Sequence, residues 1–454
     1  MADRVVTPVR STSCSGAGCT EADPGTSLSE GAVAPGDGYR YRPWSAGRHR
    51  GMSSQEMLPG SSSGGNDARR HIHERRRHDR ERAVNRRVAI TQPYIPGYRE
   101  RLWSLVIEEL RAAEVDCRVF YGGDREQERD IAARGDGIQP GWASRVAACT
   151  LRPVRSIPKF VFRRLPRTWR GRDALLVTEM QGTNLNAWLR AGLRRPYITL
   201  GHGVSDTTTR SPLADAAENL LNSRATRALT YTERGRRHVL ASTRLRDDQV
   251  AAFRNSTDTS RLQRAMDEVT PADLTAFRER HGIPDDARVS LYLGALNRFK
   301  AVDLLVDAAR IVFAADPSQW LVVAGDGESR ALVEELARDT GRVVLLGQSG
   351  PADYAAAATM SRTLVNPGRV GLVAVDALVM GLGIVTTSGA EHGPEVEYLR
   401  PGIDVVEVPA TPEAYARAWT DGAERTEAPP AEHPTIEAAA HTISATILDA
   451  LDER

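Results

Sequence analysis

Lysine is almost missing from this chain of 454 residues. Lys159 and Lys300 are the only two among 60 basic side chains; arginine is the default positive charge, and a lysine calls for a local reason. Cysteine is scarce too. Cys14, Cys19, Cys117 and Cys149 show neither C-x-x-C spacing nor the density of a disulfide framework, which excludes a stapled scaffold and a paired-thiolate zinc site. No apolar run approaches the roughly eighteen residues of a spanning helix. The N-terminus lacks the charged-then-apolar order of a signal peptide, so a cytoplasmic protein is expected. Strong charge of one sign is absent as well: a formal net charge of +1 supplies no global field toward nucleic acid or membrane, and either partner would need a local patch.

The length exceeds one ordinary core and predicts two domains plus additional sequence. Residues 1–86 are rich in Gly, Ser, Pro and Arg and end in HIHERRRHDRERAVNRR, which reads as a disordered tail. A translation start at Met52, Met57 or near Val84 is the alternative. The mixed signs of that run, without interleaved aromatics, read as a solvated segment, and no nucleic-acid partner is expected.

From Arg87 short apolar runs alternate with amphipathic stretches, the pattern of βα units around parallel sheets. RVAIT, VDCRVFYGG, ALLVTE, PYITLGHG and RALTYTE form a first series of strands. VSLYLG, WLVVAG, RVVLLG, RTLVNP, GIVTTS and DVVEV form a second. The predicted fold is α/β, with two doubly wound Rossmann-like domains facing across a cleft: residues 87–257, then 258–432, with 433–454 a closing helix. In such sheets ligands sit beyond the carboxyl ends of the strands, so the chemistry is sought in the segments after each strand.

Lys300 lies in one of these segments. After VSLYLG, the loop ALNRFK carries Gly294, Arg298 and Lys300 toward a helix N-terminus, where cations and exposed amides suit a diphosphate. Arg gives planar bidentate contacts and Lys a compact point charge; a solvated basic loop is the plain alternative. WLVVAGDGESR offers Gly325 and Gly327, but Arg330 stands where a dinucleotide fingerprint would have its third glycine. These glycines permit close backbone approach to a ligand, or merely a tight turn. NPGRVGLVAVDALVMGLG opens a helix with Gly371, Leu372 and Val373 and carries one acid, Asp376, on an otherwise apolar face. Ribose hydroxyls would be suitable donors to that carboxylate.

Taken together, these residues resemble the retaining GT-B glycosyltransferases of glycosyltransferase family four. The likeness runs through G-x-L-x-x-x-K with V-D-L-L (Gly294 to Leu305), Gly325 and Gly327, Leu346 and Gly347, Gly371 to Gly381, and P-E-x-E (Pro394 to Glu397). The first half is similar to a subgroup of that family through QPYIPGYR, the turn Gly201 to Gly203, LTYTERGR and RNSTD (Arg254 to Asp258). The likeness spans residues 87–430.

The resemblance implies transfer of a sugar, with retention, from a nucleoside-diphosphate sugar to an acceptor hydroxyl on a glycan, a glycolipid or a small molecule. Lys300, helped by Arg298, would neutralise the leaving diphosphate in place of a metal, so neither metal nor cofactor is expected beyond a UDP- or GDP-linked donor. Asp376 would hold ribose, Gly347 and its neighbours the base, and His202 would face the donor sugar. Three positions depart from the family pattern: Gly368 replaces its first acid, Asp376 is one methylene shorter than the usual Glu, and Ala295 stands where Arg is common. The resemblance includes a subgroup with an NPG-x-VGL turn. A catalytically inactive relative that binds a nucleotide or partner, and a GT-B-fold sugar-nucleotide epimerase, are the alternative readings.

Residues 152–172, RPVRSIPKFVFRRLPRTWRGR, mix Arg with Phe, Ile, Leu and Trp. They suit peripheral contact with an anionic membrane or a lipid-linked acceptor, or else a helix or loop that packs its apolar side inward.

Overall fold

The computed structural model describes residues 86–123, 128–129, 137–152, 159–204, 212–421 and 432–453. The expected disordered tail lies outside these residues, with Cys14 and Cys19, except for Arg86. That residue is ordered: its carbonyl accepts from the Asp116 amide at 2.9 Å, and its guanidinium pairs with Asp452 at 2.7 Å.

The strands are β1 (Arg87–Gln92), β2 (Asp116–Tyr121), β3 (Ala143–Arg145), β4 (Ala148–Leu151), β5 (Phe160–Arg163), β6 (Ala174–Glu179), β7 (Tyr197–Gly201), β8 (Arg227–Thr230) and β9 (Val250–Ala252). They continue with β10 (Arg288–Leu293), β11 (Gln319–Ala324), β12 (Val343–Gly347), β13 (Ser361–Val365), β14 (Gly383–Thr387) and β15 (Val405–Val408). The first sheet runs β3-β2-β1-β6-β7-β8-β9 and the second β12-β11-β10-β13-β14-β15, all parallel. β4 and β5 form a separate antiparallel pair. Central strands such as β1, β6 and β11 are buried on both faces, which is why they read as unbroken apolar runs rather than as an alternation.

Each sheet has a core on each side. Val88, Ile90, Val177 and Ile198 look toward the helix Glu100–Ala112, while Ala89, Phe120 and Tyr197 look the other way. In the second sheet Leu291, Val322 and Ile384 face one side, and Tyr292, Val323 and Val385 face the helix Val302–Ala315 on the other. The last helix, Ile436–Asp452, is capped by Thr435 and returns to the first sheet. There Ile436, Ile443 and Ile447 are buried with Leu102, Val106 and Leu110. The chain thus crosses between the halves twice, and Ser256 Oγ donates to the Pro434 carbonyl at 2.6 Å where the two crossings meet.

The 152–172 segment turns its apolar side inward over its described part, 159–172. Leu165 and Trp169 are buried, and the Trp169 ring meets Phe120 at 5.4 Å. Those two side chains are therefore spent on the core rather than offered to a lipid surface. Residues 153–158 lie outside the described residues. Among the described residues no helix is long and apolar enough to cross a membrane.

Candidate functional site

Lys300 ends a 3₁₀ turn, Arg298–Lys300, just past the carboxyl end of β10. Asn297 shapes the turn: its side chain accepts from the Phe299 amide at 3.1 Å, and its carbonyl accepts from the Lys300 amide at 2.9 Å. Ala301 then takes a left-handed φ of 47°, uncommon for a residue with a Cβ, and turns the chain into the helix Val302–Ala315. The result folds Lys300 back over Gly294, where a Cβ would lie 3.4 Å from Nζ.

Lys300 Nζ donates to the carbonyl of Arg369 at 2.7 Å, and no carboxylate among the described residues pairs with it. Burial and the charge of Arg369 push its pKa down to about 8. A cation held this way has lost water without gaining a counter-ion.

The turn after β13 is fastened on every side. Asn366 donates through Nδ2 to the Leu293 carbonyl at 3.0 Å, and Thr387 Oγ1 donates to the Pro367 carbonyl at 2.6 Å. Arg369 donates its amide to the Phe299 carbonyl at 2.8 Å. Gly368 lies pressed against the Lys300 loop: a Cβ there would overlap the Phe299 oxygen and the Lys300 carbonyl carbon and come within 2.5 Å of Lys300 Cα. With the loop in this place, no acid or other side chain fits at position 368. The departure noted in the sequence thus has a steric cause.

Gly371 and Leu372 lead into the helix Val373–Met380, and their carbonyls accept from the Ala374 and Val375 amides, each at 2.9 Å. Three sequence candidates, Gly371, Leu372 and Val373, therefore lie on the same turn as the carbonyl that holds Lys300. Nearby, Asn366 Oδ1 is buried without a partner among the described residues. His392 Nδ1 accepts from the Val370 amide at 3.1 Å, which places the proton of the neutral ring on Nε2. Burial holds the His392 pKa below its usual value, with Glu407 opposing the shift.

Asp376 is part-buried, and Oδ1 accepts from Thr257 Oγ1 at 2.8 Å across the crossover between the halves. Burial raises its pKa to about 6, partly offset by that hydroxyl. It lines a cavity of about 500 Å³ between the helix Glu100–Ala112 and the second half, with Tyr98, Arg101, Arg261 and Tyr354.

The glycines after β11 are accounted for within the protein. A Cβ at Gly325 would overlap the Gly294 oxygen, and one at Gly327, whose φ is 152°, would lie 2.5 Å from the Leu296 oxygen. The close backbone approach is loop on loop. Gly347 closes β12 with a φ of 71°. The Arg298 guanidinium stacks on its neighbour Phe299, 4.6 Å from the ring centre, and is exposed.

His202 follows β7 in the first half, exposed, with its ring 4.5 Å from Tyr231. Tyr231 in turn carries the buried Arg99 guanidinium at 4.9 Å. Segment 394–398 of the second half docks beside them. Glu395 accepts from Asn255 Nδ2 at 2.6 Å, Glu397 accepts at 3.0 Å from the Arg234 amide in the first turn of the helix Glu233–Ser242, and the Tyr398 hydroxyl donates to the Tyr231 carbonyl at 3.0 Å. Arg99, Arg369 and His392 were not singled out from the sequence. One arginine among many carries no compositional signal, and neither does a histidine in a glycine-rich exit.

Two doubly wound domains with the candidate groups at strand carboxyl ends define the GT-B architecture. Residues 273–428, most of the second half, match the family model described as glycosyl transferases group 1. A D-inositol 3-phosphate glycosyltransferase of Geodermatophilus obscurus is 34% identical over 138 residues, 27% of this chain and 31% of that protein. The alignment thus spans about a third of that relative's length. HepE of Anabaena, solved in complex with UDP, superimposes with a TM-score of 0.51 at 16% identity over 81% of this chain and 98% of its own. The UDP-GlcNAc 2-epimerase from Neisseria meningitidis, bound to UDP-GlcNAc, gives 0.51 at 14% over 80% and 99%. At such identity these two likenesses establish the fold alone.

Proposed function

We propose that the protein is a retaining glycosyltransferase that moves a sugar from a nucleoside-diphosphate sugar to an acceptor hydroxyl, with no metal ion at the diphosphate. The observation that carries this reading is Lys300: a part-buried ammonium held by a carbonyl of the turn that leads into the helix Val373–Met380. An incoming diphosphate would supply the missing counter-charge, and the ammonium would stabilise the charge that builds on the leaving oxygen. Asp376 would accept from ribose hydroxyls in the adjoining cavity. The group 1 domain and the UDP held by HepE support a UDP-linked donor.

Of the two routes to retention, the carboxylate inventory fits a same-face displacement. A double displacement needs a free carboxylate against the sugar, but Gly368 has no room for one and Glu395 is bound to Asn255. A same-face displacement, with the leaving diphosphate held beside a cationic sugar carbon, needs no such group. The acceptor would enter from the first half, past His202. Small phosphorylated polyols, glycans and lipid-linked acceptors are the classes to screen, the first because of the curated relative's name.

The test is incubation with UDP- and GDP-sugars and these acceptors, reading nucleoside-diphosphate release and the anomeric configuration of the product by NMR. Transfer with the donor's configuration is expected. An inverted product would remove retention, an epimerised sugar nucleotide would favour the epimerase reading, and donor binding without turnover would favour an inactive relative.

A further inference from the structure

We propose that Arg369, rather than Arg298, is the second cation of the diphosphate clamp. The inference rests on the diphosphate reading of Lys300 and concerns which side chain shares the load.

Arg298 is turned to solvent. Its guanidinium lies over Phe299, and its amide is engaged by Glu328 at 3.1 Å. Ala295, earlier in the same loop, has no charge to offer. Arg369 is placed differently. Its amide and carbonyl are the two points at which the turn after β13 grips the loop after β10, bonding to Phe299 at 2.8 Å and to Lys300 at 2.7 Å. Gly368 allows that contact because any side chain there would force the loops apart. The guanidinium forms no ion pair or hydrogen bond among the described residues, although its charge acts on both Lys300 and His392.

Two like charges held side by side, Lys300 and Arg369, cost stability unless an anion joins them. The third group present, His392, is buried, with Nδ1 accepting from the Val370 amide and the Thr387 backbone favouring its protonated form. The one carboxylate whose charge acts on this histidine is Glu407, exposed on β15. Lys300 and Arg369 together therefore lack an anionic partner that reaches both cations, which the two linked phosphates of a nucleoside diphosphate would supply. A planar guanidinium is suited to grip the terminal phosphate by two oxygens while the lysine follows the bond that breaks.

Calorimetry with UDP, GDP and ADP, and with the matching monophosphates, tests the assignment on the wild type, Arg369→Ala, Arg369→Lys and Arg298→Ala. For the nucleoside diphosphate the wild type binds, Arg369→Ala is expected to weaken affinity ten-fold or more and leave the monophosphate within about three-fold. Arg369→Lys should recover part of the loss, and Arg298→Ala should stay within about three-fold for both ligands. Thermal denaturation checks that each variant folds; the contacts Arg369 makes to its neighbours are backbone contacts, which alanine retains. A ten-fold loss in Arg298→Ala with none in Arg369→Ala would overturn the assignment and leave the diphosphate reading intact. Failure of the wild type to bind any of the three diphosphates would overturn both.

Discussion

Two cations are drawn into this protein in opposite ways. Arg163, at the end of β5 in the first half, is buried but complete: it pairs with Glu179 at 2.8 Å and donates to the Gly122 carbonyl at 2.8 Å, while Glu179 also accepts from Asn184 at 3.1 Å. Lys300 in the second half is part-buried with one carbonyl and, among the described residues, no carboxylate. Burial of charge is tolerated structurally when the partner is built in, and it marks a site when the partner is left to arrive.

Breaking the two cations should therefore give opposite phenotypes. Lys300→Ala is expected to lower kcat by about 10²- to 10³-fold, the usual cost of one preorganised transition-state contact, with little loss of thermal stability. Arg163→Ala should destabilise by about 3–5 kcal/mol, because it strands Glu179, while activity per folded molecule is kept. Steady-state kinetics paired with denaturant melts read both. A Lys300→Ala variant that loses several kcal/mol of stability yet keeps wild-type kcat per folded molecule would erase the contrast.

Gly368→Ala sharpens the comparison from the side of the packing. Its methyl group would push the Lys300 loop outward, at a cost of about 1–3 kcal/mol, and weaken diphosphate binding about ten-fold. Binding at wild-type strength would show that the loop contact is dispensable.

Smaller effects belong to pH. Lys300 titrates near 8 in the folded protein and 10.5 in the unfolded chain, so its stability penalty is complete below 8 and fades as pH rises toward 10.5. A diphosphate should restore the charged form. Binding at pH 8 should then take up about half a proton, measured by calorimetry in buffers of differing ionisation heat, and Lys300→Ala should abolish the uptake. Asp376, raised to about 6 from 3.8, contributes stability that is present below 3.8 and lost as pH climbs through 6. Melts of Asp376→Asn should accordingly gain on the wild type across that window; parallel curves would contradict the buried carboxyl.

The inner strands of both sheets were legible because fully buried parallel strands write themselves as apolar runs, as in ALLVTE and QWLVVA, whereas the three-residue edge strands β3 and β9 were not foreseen. Lys300 was legible because lysine is rare here. The short antiparallel pair β4–β5 left no such trace, and its neighbours Leu165 and Trp169, amid arginines, read equally well as a lipid-facing surface. Gly325 and Gly327 were read as room for a ligand, but that room is occupied by the loop after β10. Such facts depend on which loops meet, and spacing along the chain does not record it. Arg369 was hidden for the same reason: its place beside Lys300 exists only once the turn after β13 crosses the turn after β10.

The most direct test of the unpartnered cation is calorimetric titration of UDP, GDP and ADP, without added metal, into the wild type and Lys300→Ala. The expected result is that one nucleotide binds the wild type and is weakened at least ten-fold in the variant. Equal affinity in the two proteins would contradict the claim that Lys300 is reserved for a diphosphate.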